Sequence, residues 1–107
     1  MYSEEIVHGR EQLIARYRNY LERCGPTQHL LGNFQIDIHG DNASCWSYIR
    51  AMHVGTGYLR TTYYDQWGLN QDSLIRAQDG WKLCGRVERA FHEVGSRSVF
   101  LLEDDLA

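Results

Sequence analysis

His29 and His53 are the two side chains of this sequence whose type and placement suit acid/base chemistry. Each falls in a run of strand-forming residues, Thr27 to Ile38 and Ala43 to Val54, and between the runs lies His39-Gly40-Asp41-Asn42, a stretch fit for a tight turn. With a three-residue loop over Gly40, Asp41 and Asn42, His39 lies opposite Ala43, and His29 lies directly opposite His53 on one face, the Cβ atoms about 4.5–5.5 Å apart. With a two-residue Gly40-Asp41 turn the histidines fall on opposite faces, and a bulge would shift the pairing again. Two imidazoles in an apolar cavity lose charge stability through desolvation and mutual repulsion, so that one accepts a proton while the other donates a hydrogen bond. The plainer alternative makes His29 a solvent-facing residue near a strand end and His53 a core histidine beside a turn. Two histidines with no third ligand at a recognisable spacing make a poor metal site, and no metal or other cofactor is expected.

The elements that must position these side chains are one helix and a series of strands. Leu13, Ile14, Tyr17, Tyr20, Leu21 and Cys24 recur at three-and-four spacing, which predicts an amphipathic helix between Gly9 and Gly25. Gly25, read as a left-handed cap, and Pro26, which cannot continue the ladder, end it. Beyond Pro26 the pattern predicts strands at Thr27 to Ile38, Ala43 to Val54, Leu59 to Trp67, Asp72 to Ala77, Trp81 to Val94 and Ser98 to Leu102, joined as an antiparallel meander. Turns are expected at Gly55-Thr56-Gly57, Asp79-Gly80 and Gly95-Ser96. Strict alternation puts His29, Leu31, Asn33, Gln35 and Asp37 on one face of the first run, so that Leu31 and Asn33 are expected to line the His29 pocket as substrate-binding residues. In the second run both faces carry large groups, which predicts burial on both sides.

Composition narrows the function classes. The 107 residues are 43% hydrophobic, enough for one small domain over 1–107. The net charge of −3 comes from 11 basic and 14 acidic residues, scattered without blocks, so nucleic acid and anionic lipid are poor partners. No apolar run approaches the roughly 20 residues of a membrane span and no signal peptide is recognisable, which leads to a cytoplasmic expectation. Cys24, Cys45 and Cys84 are irregularly spaced and are expected to be reduced and largely buried. Glu103, Asp104 and Asp105 form an acidic end expected to fray.

The stretch Thr27-Gln28-His29-Leu30-Leu31-Gly32-Asn33, the later Ala51-Met52-His53 and the Asp79-Gly80-Trp81-Lys82-Leu83 turn resemble scytalone dehydratase and the wider SnoaL-like, nuclear-transport-factor-2-like families. Gly9-Arg10-Glu11 looks like the start of the third helix in those families, and the similarity runs from about Gly9 to Val94. The resemblance implies a cone-shaped α+β fold, in which a curved antiparallel sheet packed on an amphipathic helix wraps a deep pocket, often in homodimers or trimers. It implies that His29 is the acid/base residue, that His53 hydrogen-bonds substrate or leaving group, and that Asn70 matches a pocket asparagine that binds substrate. Members normally carry two further N-terminal helices that bring a Tyr and an Asp, the Asp orienting the histidine. No residue here matches that Asp, and the chain is expected to be shortened at its N-terminus; Asp65 is the carboxylate available to take its place.

Two function classes follow. One is a cofactor-free dehydratase or isomerase of cyclic, polyketide- or steroid-like ketones, with His29 and His53 as its acid/base groups. The other is a non-catalytic ligand-binding or assembly module of the same fold, for which Trp46, Tyr48, Tyr63, Tyr64 and Trp67 would supply the surface; as sheet aromatics they also read as core.

Overall fold

The computed structural model of the chain describes residues 7–101. One helix, α1 (Gly9–Leu21), is followed by four strands, β1 (Thr27–His39), β2 (Asn42–Val54), β3 (Tyr63–Ala77) and β4 (Gly80–Gly95), with 3-10 turns at Gly57–Leu59 and Arg97–Phe100. The strands form one antiparallel sheet in the order β1-β2-β3-β4, the meander read from the turn residues. One helix packed on a four-stranded antiparallel sheet is an α+β fold, as the sequence suggested.

The helix opens with the Gln12 side chain accepting from the backbone N–H of His8, which satisfies one of the donors a helix start leaves free. It ends at Leu21, a turn earlier than the apolar stripe suggested. Gly25 does not adopt a left-handed conformation. Its backbone N–H donates to the carbonyl of Val54, and a Cβ at this position would stand 2.8 Å from the Gly55 carbonyl oxygen, so close backbone approach is what requires glycine here. Together with the Val54 N–H donating to the Pro26 carbonyl, this fastens the helix exit to the end of β2, beside His53.

Two strand expectations are corrected. Residues 63–67 of the first run and the run 72–77 belong to a single strand, Tyr63–Ala77, whereas Leu59 ends the 3-10 turn before it. Gly68 and Asn70 look like punctuation in a sequence window, yet β2 and β4 supply hydrogen bonds on both sides and override that weak preference. The expected strand from Ser98 is a 3-10 turn instead: the Ser96 hydroxyl accepts from the Ser98 N–H and the chain curls, burying Val99 and Phe100. Leu102 and the Glu103-Asp104-Asp105 end lie outside the described residues.

The buried side chains of the sheet, Ser47, Ala51, His53, Tyr64, Asn70 and Asp72, all belong to one face. That face looks toward α1, because Tyr20 and Cys24 pack against the cluster of Tyr64, Val99 and Phe100. The other face is open, so β2 is not buried on both sides as its sequence suggested: Trp46 and Tyr48 are exposed, as is Tyr63 on β3. Among the cysteines, all free, Cys24 and Cys45 are half-buried, whereas Cys84 is exposed at a β4 bulge rather than buried.

Candidate active site

The β1–β2 connection is a two-residue turn. His39 pairs with Asn42 and Gly40 takes φ +61°, the positive φ that suits the first position of such a hairpin. This register alone would put the two histidines on opposite faces. Between Gly32 and Gln35, however, β1 holds one extra residue, and Asn33 adopts φ +55°, a left-handed conformation that Asn tolerates better than most side chains. The bulge shifts the remaining pairs by one: His29 lies opposite Ala51, and Thr27 opposite His53. His29 and His53 thus share the helix-side face as diagonal neighbours.

Their rings meet there. Nε2 of His29 stands 3.2 Å from Nε2 of His53, with centroids 5.2 Å apart and planes at 77°. Nδ1 of His53 is 2.9 Å from the backbone carbonyl oxygen of Tyr64, the residue directly opposite it on β3. Aromatic rings wall His53 in: Tyr64 stacks against it at 5.7 Å and Phe100 meets it edge-on at 4.9 Å. At 4% exposure the imidazole is cut off from water, and this desolvation pushes its pKa below the ordinary histidine value. The carbonyl of Tyr64 opposes that shift, and the charge of a protonated His29 adds to it. His29 itself is exposed. The pair therefore joins a dry imidazole to a wet one.

A carboxylate does reach this cluster, and it is not Asp65. Asp65 pairs opposite Met52 on the outer face, where it sits 3.5 Å from Arg50, and its charge is the smallest influence on His53. Glu93 of β4 instead accepts a hydrogen bond from the Tyr64 phenol at 2.6 Å. Sequence reasoning missed Glu93 because its pairing with Gln66 follows only from the β3–β4 register, which holds two bulges. Tyr64 was visible as a strand aromatic but carried no sign of its carbonyl's role.

Of the other expected pocket residues, Leu31 and Asn70 lie on the helix-side face with His29. Leu31, opposite Ile49, shares the His29 face. Asn33 is the bulge residue itself, so the strict alternation that would have aligned it with His29 ends there. Asn70 is fully buried on the helix-side face opposite Ser47. It lies four residues along β3 from Gln66, which pairs with Ala51 opposite His29. Gln66, opposite Ala51, is the polar β3 side chain on that face next to Tyr64. The Ser47 hydroxyl and both amide atoms of Asn70 have no hydrogen-bond partner among the described residues. Beside them Asp72 grips Arg86 through two bonds of 2.6 and 2.9 Å, which, with the Tyr17 phenol of α1, hold the guanidinium pKa above its ordinary value.

The family model described as a SnoaL-like domain matches residues 2–87. No curated protein matches the chain. Among solved structures the chain is similar to the Kfla4162 protein from Kribbella flavida (19% identity, TM-score 0.71, covering 86% of this chain and 64% of that one). It is likewise similar to a protein from Novosphingobium aromaticivorans named a putative aromatic ring hydroxylase (22%, TM-score 0.75, 88% and 65%). A third is a protein from Streptomyces avermitilis named a putative dehydratase of the NTF2-like family (18%, TM-score 0.67, 79% and 60%). At these identities the likeness establishes the fold, and the chain spans less than two thirds of the length of each neighbour.

Proposed function

The chain belongs to the SnoaL-like domain family, and from that premise we propose that it is a small-molecule pocket protein performing cofactor-free dehydration or isomerisation of a cyclic ketone through His29 and His53. The observation that carries this reading is the 3.2 Å contact between the two imidazoles, one buried among aromatic rings and one open to solvent. A neutral imidazole beside a buried, uncharged partner is a competent base near neutral pH. In a dehydration the base removes the proton next to the substrate carbonyl, and the C–H electron pair becomes the new C=C bond as the C–O bond to a β-hydroxyl breaks. The departing hydroxide takes the same proton back from the imidazolium and leaves as water, restoring the neutral pair. In an isomerisation the proton returns to a different carbon of the dienol. Neither route needs an electron acceptor.

The test is turnover and binding with a panel of cyclic β-hydroxy ketones. A His29→Gln variant should bind the accepted compound with little change and convert it about two to four orders of magnitude more slowly, the range for one acid/base group. An unchanged rate removes His29 from the chemistry, and an absence of saturable binding to the unmodified protein removes the pocket reading altogether.

A second reading concerns assembly, and a specific observation favours it. On the outer face Leu30, Tyr48 and Phe91 are 54%, 50% and 57% exposed, with Tyr48 and Phe91 in edge-on contact at 6.2 Å. Contiguous apolar surface of this kind suits burial against a second copy of the chain, in a dimer or trimer. Sedimentation over a concentration series tests it: a Tyr48→Glu variant should be monomeric where the unmodified chain associates, and association unaffected by that change would place the interface elsewhere.

A further inference from the structure

We infer that the histidine pair holds its protons in one fixed order, set by the carbonyl of Tyr64, which makes Nδ1 of His29 the nitrogen that meets substrate and His53 a positioning residue that does not touch it. This deepens the acid/base reading and, for the part played by substrate, rests on it. The order follows from hydrogen-bonding capacity. A carbonyl oxygen only accepts, so the 2.9 Å contact with Tyr64 requires the hydrogen on Nδ1 of His53. A neutral His53 then has only a lone pair at Nε2, and the 3.2 Å contact is a hydrogen bond when Nε2 of His29 carries the hydrogen. A neutral His29 so committed has its free lone pair on Nδ1. Both nitrogens of His53 are engaged and neither remains for a substrate oxygen.

The surroundings keep this order through a proton transfer. The proton leaving the substrate carbon binds Nδ1 of His29, its bonding electrons staying with the substrate, and the resulting imidazolium still donates from Nε2 to His53. No hydrogen inside the pair has to move. Protonating the buried ring instead would set a charge between the Tyr64 and Phe100 rings, and desolvation disfavours that. The titratable groups near His53 are His29 from β1, Asp65 from the far face of β3, and the Tyr64 phenol with Glu93 from β4. Tyr64 is pinned at both ends, its carbonyl by His53 and its phenol by Glu93 at 2.6 Å, so the acceptor that sets the order is itself held still. His53 here does for His29 what a carboxylate does in other oriented imidazoles, but as a neutral acceptor.

The test is a two-bond 1H–15N correlation spectrum of the 15N-labelled chain, at a pH where both rings are neutral, with signals assigned from His29→Gln and His53→Gln spectra. The expected pattern is a protonated Nδ1 and bare Nε2 for His53, with a protonated Nε2 and bare Nδ1 for His29. An Nε2–H tautomer at His53, an Nδ1–H tautomer at His29, or fast averaging at either ring overturns the inference. The measurement needs no substrate. A chain with the expected pattern but no turnover would sink the enzymatic reading and leave the proton order standing, whereas turnover with another pattern would do the reverse.

Discussion

His29 and His53 meet diagonally across β1 and β2, and the single extra residue at Asn33 is what puts them on the same face. Asn33 holds φ +55°, where a β-branched side chain is strained. Asn33→Gly should leave stability within a few tenths of a kcal/mol, whereas Asn33→Val should lose about 1–2 kcal/mol, read from urea melts. Deleting Asn33 should remove the bulge yet leave Gly32 opposite Tyr48 and His29 opposite Ala51, so His29→Gln should still shift the His53 resonances in the deletion variant. Loss of that effect would mean that β1 slips by one residue against β2 when the bulge is gone.

Stability should depend on His53 through pH. Burial lowers its folded pKa below the unfolded value of about 6.5, so between those two values the unfolded chain binds the extra proton. The contribution is complete above about 6.5 and is lost as pH falls through the folded pKa. Chemical denaturation at stepped pH should show a decline over that window that is absent from a His53→Gln variant, beyond the slope from carboxylates common to both. Identical slopes would place His53 in water.

The Tyr64 phenol and Glu93 form a bond whose loss should be measurable. Tyr64→Phe keeps the ring stacked on His53 and removes only the hydroxyl, with an expected cost of about 1–2 kcal/mol, the lower part of the range for hydrogen bonds to charged groups because Glu93 is exposed. Glu93→Gln keeps an acceptor and should recover part of that cost. Equal and negligible effects in both variants would show the bond to be made no better than its exchange with water.

Asp72 and Arg86 join β3 to β4 beneath the helix. Asp72→Ala should destabilise the chain by about 2–3 kcal/mol, short of the 3–5 for a fully buried pair, since the Arg86 side chain keeps 30% exposure and regains some hydration. Thermal melts of Asp72→Ala, Arg86→Ala and the double variant give the coupling. A double variant as unstable as the sum of the two singles would argue against a direct interaction.

Thiol reactivity should separate the cysteines. Burial pushes the Cys24 pKa up, leaving less thiolate, whereas Cys84 is exposed at its bulge. Mass-mapped alkylation of the folded protein should modify Cys84 well before Cys24; the opposite order would mean that the helix exit opens readily.

Much of the scaffold is legible in single windows of sequence. The helix shows in Leu13, Tyr17, Tyr20 and Leu21, and the hairpins in Gly40-Asp41 and Asp79-Gly80, because helical periodicity and turn chemistry are properties of a few adjacent residues. The meander order follows from the same turns. What misled was equally local: Gly68 and Asn70 resemble a break, and Ser98 to Leu102 resembles a strand, until neighbouring strands and the cap at Ser96 decide otherwise.

By itself the sequence determined an amphipathic helix, a run of antiparallel strands, and two histidines within reach of one another in one of several registers. Only the tertiary structure chose the register, since strand alternation has period two and one bulge at Asn33 reverses the face of every residue beyond it. The partners of His53 were decided there too. The Tyr64 carbonyl, Phe100 and, through the phenol, Glu93 come from parts of the chain far from His53 in sequence, and no local pattern records contacts that exist only once the sheet is paired and the helix packed against it.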